Sequence, residues 1–159
     1  MGKKDTKELL KFLKPFSKER AELLLWLRDF AWGLCPQANE IIYDNFNAVA
    51  IGWTPTEKLG HTICSIAIYR SNENIHFGFY WGNQIKDPEK MLLGQGNQYR
   101  YIQAKDKKSF PKTYIKQLVG EAYANSLAKV KDPKQLVQGL TIVKSVSANK
   151  RPAAKSKKK

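Results

Sequence analysis

Leu23, Trp26, Leu27, Phe30, Ala31 and Leu34 recur at helical spacing, and directly after Pro36 the apolar period drops to two and stays there for four segments. That single switch constrains the fold most. Helices first and a run of short strands afterwards describe an α+β domain, with helices packed on one face of a mostly antiparallel sheet of about five strands. Its signals are local. Ser17 can cap the long helix with Glu19 in the first turn, and Gly33 with Pro36 closes it. Ahead of it, Leu9, Leu10, Phe12 and Leu13 sit among lysines in a short amphipathic helix that Pro15 ends.

The strand candidates are Glu40–Tyr43, Val49–Trp53, Thr62–Tyr69 and Ile75–Tyr80, each rich in β-branched and aromatic residues and separated by Asn, Pro, Gly and Ser breakers. The gap Ser71-Asn72-Glu73-Asn74 is hairpin-sized, so the third and fourth strands are expected side by side and antiparallel. Alternation puts Cys64, Ile66 and Ile68 on the buried face of the third strand and Ile63, Ser65, Ala67 and Tyr69 on the other. A fifth strand, about Tyr99–Gln103, follows the loop 82–98. Ser109-Phe110-Pro111 then opens a helix with a stripe of Ile115, Leu118, Val119, Ala122 and Ser126. Residues 133–143 read as a helical turn and an extended segment ending at Val143. One domain over residues 1–143, followed by a basic disordered tail over 144–159, is the expected organisation.

Charge is concentrated at the chain's ends. The chain of 159 residues carries 28 Lys and Arg against 14 Asp and Glu, a net +14. Seven of those cations and no acid lie from Lys144 onward, leaving 21 basic against 14 acidic residues, or +7, on the domain. Lys150, Arg151, Lys155, Lys157, Lys158 and Lys159 make the tail a candidate for binding nucleic acid through phosphates, without sequence preference. Cys35 and Cys64 lie far apart with no metal-ligand spacing, which reads as two free thiols of a cytoplasmic protein. No apolar run reaches the roughly 20 residues of a membrane span, and the charged N-terminus has no secretory core. Met1-Gly2 with Thr6 fits the short myristoylation pattern, which often arises by accident.

Two constellations could bind a ligand. Tyr43, Asp44 and Asn47 gather a carboxylate, an amide and an aromatic face at a strand end, or else are turn chemistry. Gly94-Gln95-Gly96-Asn97 with Arg100 offers close backbone approach and a guanidinium for a carboxylate or phosphate, or else a turn in which Arg100 bonds Asp87 or Asp44. Trp53, Tyr80, Trp81, Tyr99 and Tyr101 flank these loops and could stack on a planar ligand, although alternation assigns about half of them to the core. No serine, cysteine, histidine and carboxylate stand at a spacing that predicts nucleophilic catalysis. The residue-level reading is therefore a small-ligand or anion-binding module without covalent catalysis. Its site is expected where the Tyr43–Asn47 turn meets the Gly94–Arg100 loop, with Trp53 beside it.

Ile42-Tyr43-Asp44-x-Phe46-Asn47-Ala48-Val49, Gly52-Trp53-Thr54-Pro55-Thr56-Glu57, Ile63-Cys64-x-Ile66-Ala67-Ile68-Tyr69, Phe77-Gly78-Phe79, Asp87-Pro88, Leu92-Leu93-Gly94-x-Gly96 and Arg100 follow in this order. Over about residues 8–128 the set resembles the YdhG-like family, a domain of unknown function of the DUF 1801 group. The resemblance implies a frataxin-like α+β domain in a cytoplasmic protein, and some relatives are described as intracellular iron chaperones. Asn97 and Tyr101 depart from the Lys and His common at those positions. Iron as cargo would need clustered oxygen ligands. The first twenty residues instead carry Lys3, Lys4, Lys7, Lys11, Lys14, Lys18 and Arg20 against Asp5, Glu8 and Glu19, leaving Glu22, Asp29, Glu40 and Asp44 as the acids to consider.

Overall fold

The computed structural model describes residues 7–152; the myristoylation pattern at Met1-Gly2, the lysines Lys3 and Lys4, and Lys155, Lys157, Lys158 and Lys159 lie outside the described residues. Helix α1 (Lys7–Leu13) stops just before Pro15, and α2 (Lys18–Leu34) begins at Ser17, whose hydroxyl accepts from the Arg20 amide at 3.4 Å. Strands β1 (Asn39–Asp44), β2 (Ala48–Thr54), β3 (Cys64–Tyr69), β4 (Ile75–Phe79) and β5 (Arg100–Ala104) form an antiparallel meander. Helix α3 (Lys112–Lys129) then carries the chain to a sixth strand, β6 (Thr141–Val146), which pairs parallel to β1. The sheet is thus six-stranded and mixed, in the order β5-β4-β3-β2-β1-β6, where five mostly antiparallel strands were expected.

The expected boundary between domain and tail moves with that strand. Lys144, Ser145 and Val146 belong to β6, and beyond it the Ser147 and Arg151 amides donate to the Asp44 and Phe46 carbonyls at 2.8 and 2.9 Å. The reason lies in Asn39. Its amide donates to the Thr54 and Val137 carbonyls at 3.1 and 2.9 Å while its side-chain oxygen accepts from the Leu140 amide, so it stitches residues 137–140 to the start of β1. A polar segment with little to bury is then held by backbone pairing rather than by its own side chains.

All three helices contribute to one core on one face of the sheet. Val49, Ile51 and Trp53 of β2, Cys64, Ile66 and Ile68 of β3, and Ile75, Phe77 and Phe79 of β4 point into it, each essentially inaccessible. Ile63 precedes β3 and joins this core instead of the opposite face. On α2 the buried stripe is Leu23, Leu24, Leu27, Ala31 and Trp32, turned from the expected one, so that Trp26 and Phe30 are half-buried and pack edge-on against Phe110. The predicted Ser109 cap is absent. Ser109 donates to Asp106, and Pro111 itself stands at the start of α3. Both cysteines are buried free thiols, and their side chains are in hydrogen-bond contact, which together with burial pushes the Cys64 thiol pKa up.

Candidate functional site

Register places the two predicted loops apart. Asp44 lies opposite Val49, then Ile68, Ile75 and Ala104 across the sheet, so the Tyr43–Asn47 turn is at one end of the strands and Arg100 at the other. With β1 four strands from β5, the separation across the sheet is about 19 Å. The expected meeting of the two loops is therefore not made.

The expected charged and amide groups, Asp44, Asn47 and Arg100, have internal partners. Asp44 is buried and bound by the Arg70 guanidinium, with the Lys150 ammonium at 3.1 Å from its other oxygen. Asn47 accepts from Arg151 Nε at 2.8 Å, and the Arg151 guanidinium lies 5.3 Å from the Phe46 ring centre. Arg100 donates to the Gly96 and Tyr99 carbonyls, both at 2.8 Å, and so meets neither Asp87 nor Asp44. Gly94, at φ +123°, takes the turn that folds Leu93 back onto Tyr101, and a Cβ there would stand 2.9 Å from the Tyr99 carbonyl. Asp87 holds the start of that loop through the Tyr114 hydroxyl and the Met91 and Leu92 amides. Burial raises its pKa, but these hydrogen bonds outweigh burial and bring it below the usual carboxylate value. Trp53 is fully buried against Trp32, on the helix side.

The opposite face of the sheet carries a hollow of about 270 Å³. Two register rows run across this face, and the hollow takes its floor from their β1, β2 and β3 members Ile41, Tyr43, Ala50, Gly52 and Ser65. Ile41, Gly52, Ser65, Gly78 and Tyr101 lie across from one another, and so do Tyr43, Ala50, Ala67, His76 and Gln103. Within these two rows β2, β3 and β4 present small residues and one imidazole, and tyrosines stand around them at Tyr43 and Tyr101 on the flanking strands and at Tyr69 at the end of β3. Tyr43 and Tyr80 wall the hollow, Leu59 and Thr62 close one end, and Tyr99 lies flat over Gly78, its ring where a Cβ would be. The seat of the Tyr99 ring therefore needs glycine at position 78.

Its polar groups are uncharged. Tyr43, Tyr69 and Tyr99 all have raised pKa values, in each case chiefly by burial and then by a neighbouring phenol: Tyr80, Tyr101 and Tyr69 respectively, with a hydrogen bond to Ser65 opposing the rise at Tyr99. Beside the hollow, His76 stacks on Tyr101 at 3.9 Å and meets Tyr69 at a tilt, 4.8 Å between ring centres, and burial lowers its pKa, favouring neutral imidazole. Among the described residues no Lys, Arg, Asp or Glu lines the hollow, and of the expected site residues only Tyr43 does. Tyr80, expected as a flanking aromatic, belongs to its wall, while Tyr99 covers Gly78 beside it. Ala50, Gly52 and Ser65 were missed, and the signal that could have found them is the run of small side chains at alternate positions of adjacent strands.

The acids considered for iron are elsewhere. Glu40 is buried against Arg28, Asp44 against Arg70, and Glu22 and Asp29 are exposed on α2. Among the described residues no three His, Cys, Asp or Glu side chains gather as a metal group. No helix among them is long and apolar enough to cross a membrane. No family model, curated protein or solved structure matches the chain, so the YdhG-like resemblance rests on the runs quoted for it.

Proposed function

We propose that the chain is a binding module for a small, uncharged, planar ligand, held without covalent chemistry in the tyrosine-walled hollow. The observation that carries this reading is the pairing of a floor of small side chains with tyrosine walls and no charged residue. Such a slot favours a flat ring lying on the sheet, with offset stacking against Tyr43 or Tyr80 contributing about 0.5–1.5 kcal/mol beyond area burial. A volume of about 270 Å³ is at the lower limit of ordinary ligand pockets and suits one or two fused rings. Anions, the other half of the expectation from sequence, find less support. Arg100 is engaged with carbonyl oxygens, and Lys150 and Arg151 stand at the β1–β2 turn, outside the hollow's lining.

Calorimetry with 2-naphthol, indole and 2-naphthoate, each to about 1 mM, tests it. The neutral rings are expected to bind and the carboxylate to bind at least tenfold more weakly. Ala50→Phe fills the hollow from its half-exposed floor and is expected to abolish binding while leaving the unfolding midpoint nearly unchanged. Absence of binding by either neutral ring, or equal binding by the Ala50→Phe variant, would sink the proposal.

A further inference from the structure

The two ends of the sheet differ in charge, and the basic end is built from the folded domain as well as from the tail. Beyond the row Asp44, Val49, Ile68, Ile75 and Ala104 lie the 45–47 and 70–74 turns and the loop 105–109. The α1–α2 junction is tied to the same end. The Ser17 amide donates to Glu73 at 3.1 Å, and Arg20 donates to the Glu73, Ala104 and Lys105 carbonyls at 3.0–3.2 Å. Lys150 and Arg151 are fixed there by Asp44 and Asn47. Lys14, Lys18, Lys105, Lys107, Lys108, Lys150 and Arg151 are all exposed.

The nearby acids offset part of this charge and leave an excess of cations. Asp44 pairs with Arg70 and Lys150; Asp106, accepting from the Ser109 amide and hydroxyl at 2.8 and 2.9 Å, and Glu73, accepting from the Ser17 amide, keep their charge; and Glu19 and Glu22 stand on the first turns of α2. Among the described residues, none of Lys14, Lys18, Lys105, Lys107 and Lys108 makes an ion pair within 4.0 Å. From the Lys105–Lys108 loop beside β5 to Arg151 beside β1 the cations span four strand spacings, about 19 Å. That is roughly half a turn of a nucleic-acid duplex.

We infer that this end of the sheet is a docking surface for the phosphate backbone of double-stranded nucleic acid, read without sequence preference. Single strands are a poorer fit, because they are gripped by aromatic stacking. Phe46 is the one aromatic among the 45–47, 71–74 and 105–109 segments, and Arg151 covers it. Those segments also offer no other large apolar side chain to wedge into a lipid surface.

The test uses the full chain and a labelled 24-base-pair DNA duplex of scrambled sequence, with anisotropy followed from 50 to 300 mM salt. Lys105→Glu, Lys107→Glu and Lys108→Glu together are expected to weaken binding at least tenfold and to reduce the salt slope by about 2–3. The charge-matched triple Lys58→Glu, Lys86→Glu and Lys90→Glu, outside the basic end, is expected to weaken it less than threefold. A Lys→Gln triple in the 105–108 loop gives the same order of effect should the reversal perturb folding, and removal of residues 153–159 is expected to keep most of the affinity. Equal weakening by the two reversals would reduce the effect to net charge and overturn the proposal. So would loss of binding on removing 153–159, or binding to phosphatidylserine vesicles without binding to the duplex.

Discussion

The two faces of one sheet follow opposite rules. Under the helices, Ile51, Ile66, Phe77 and Phe79 fill the space to full exclusion of water, and the charges buried beside them, Arg28 with Glu40 and Arg70 with Asp44, come in opposed pairs. Across the strands, alternate positions carry Ala50, Gly52 and Ser65, and the space they leave is walled by tyrosine rather than filled, whereas Tyr99 covers Gly78. A close-packed face supplies stability. The hollow face supplies room, and a sheet already secured from the other side tolerates that.

This contrast predicts unequal costs for substitution. Phe77→Ala empties the aromatic cluster with Phe30, Phe79 and Phe110 and is expected to cost about 3–5 kcal/mol, read as a fall in urea midpoint. A similar loss from Tyr43→Ala on the other face would break the comparison. Gly78→Val must displace the Tyr99 ring, whose hydroxyl lies 2.2 Å from the site of a Cβ, and is expected to cost about 1–3 kcal/mol. Unlike Phe77→Ala, it should also change the tyrosine environment in near-ultraviolet circular dichroism.

The smallest effect is a pH dependence. Burial between Tyr69 and Tyr101, over Ala67 and beside Gln103, holds His76 below its ordinary value of 6.5. The folded chain then binds fewer protons than the unfolded one, so the stabilisation is present above pH 6.5 and is lost as pH falls through the lowered value. Urea midpoints at pH 7.5 and 5.0 should differ more in the wild type than in His76→Gln. An equal difference would remove His76 as the cause.

The helical layer and the meander were legible because their signals are local: Ser17 before a periodic stripe, Pro36 after it, and alternation through Cys64, Ile66 and Ile68. Strand β6 was legible only as an extended segment ending at Val143; its length and its parallel place in the sheet were not, because Thr141–Val146 has weak alternation of its own and depends on β1, about a hundred residues earlier, with Lys144 inserted where the register shifts. The separation of the two expected loops, and the hollow, were hidden for a related reason. Asp44 looks available until Arg70, 26 residues later, is placed beside it, and Gly52, Ser65 and Gly78 look like weak strand formers until β2, β3 and β4 are set in register. A cavity made by absent side chains leaves little trace in any one segment.

The central claim, that the uncovered face binds a neutral ring, is tested most directly by amide chemical-shift mapping of the labelled chain titrated with 2-naphthol. The account predicts saturable shifts centred on Tyr43, Gly52, Thr62 and Ser65, and their loss in Ala50→Phe. Shifts centred instead on the 105–109 loop, or none at millimolar probe, would contradict it.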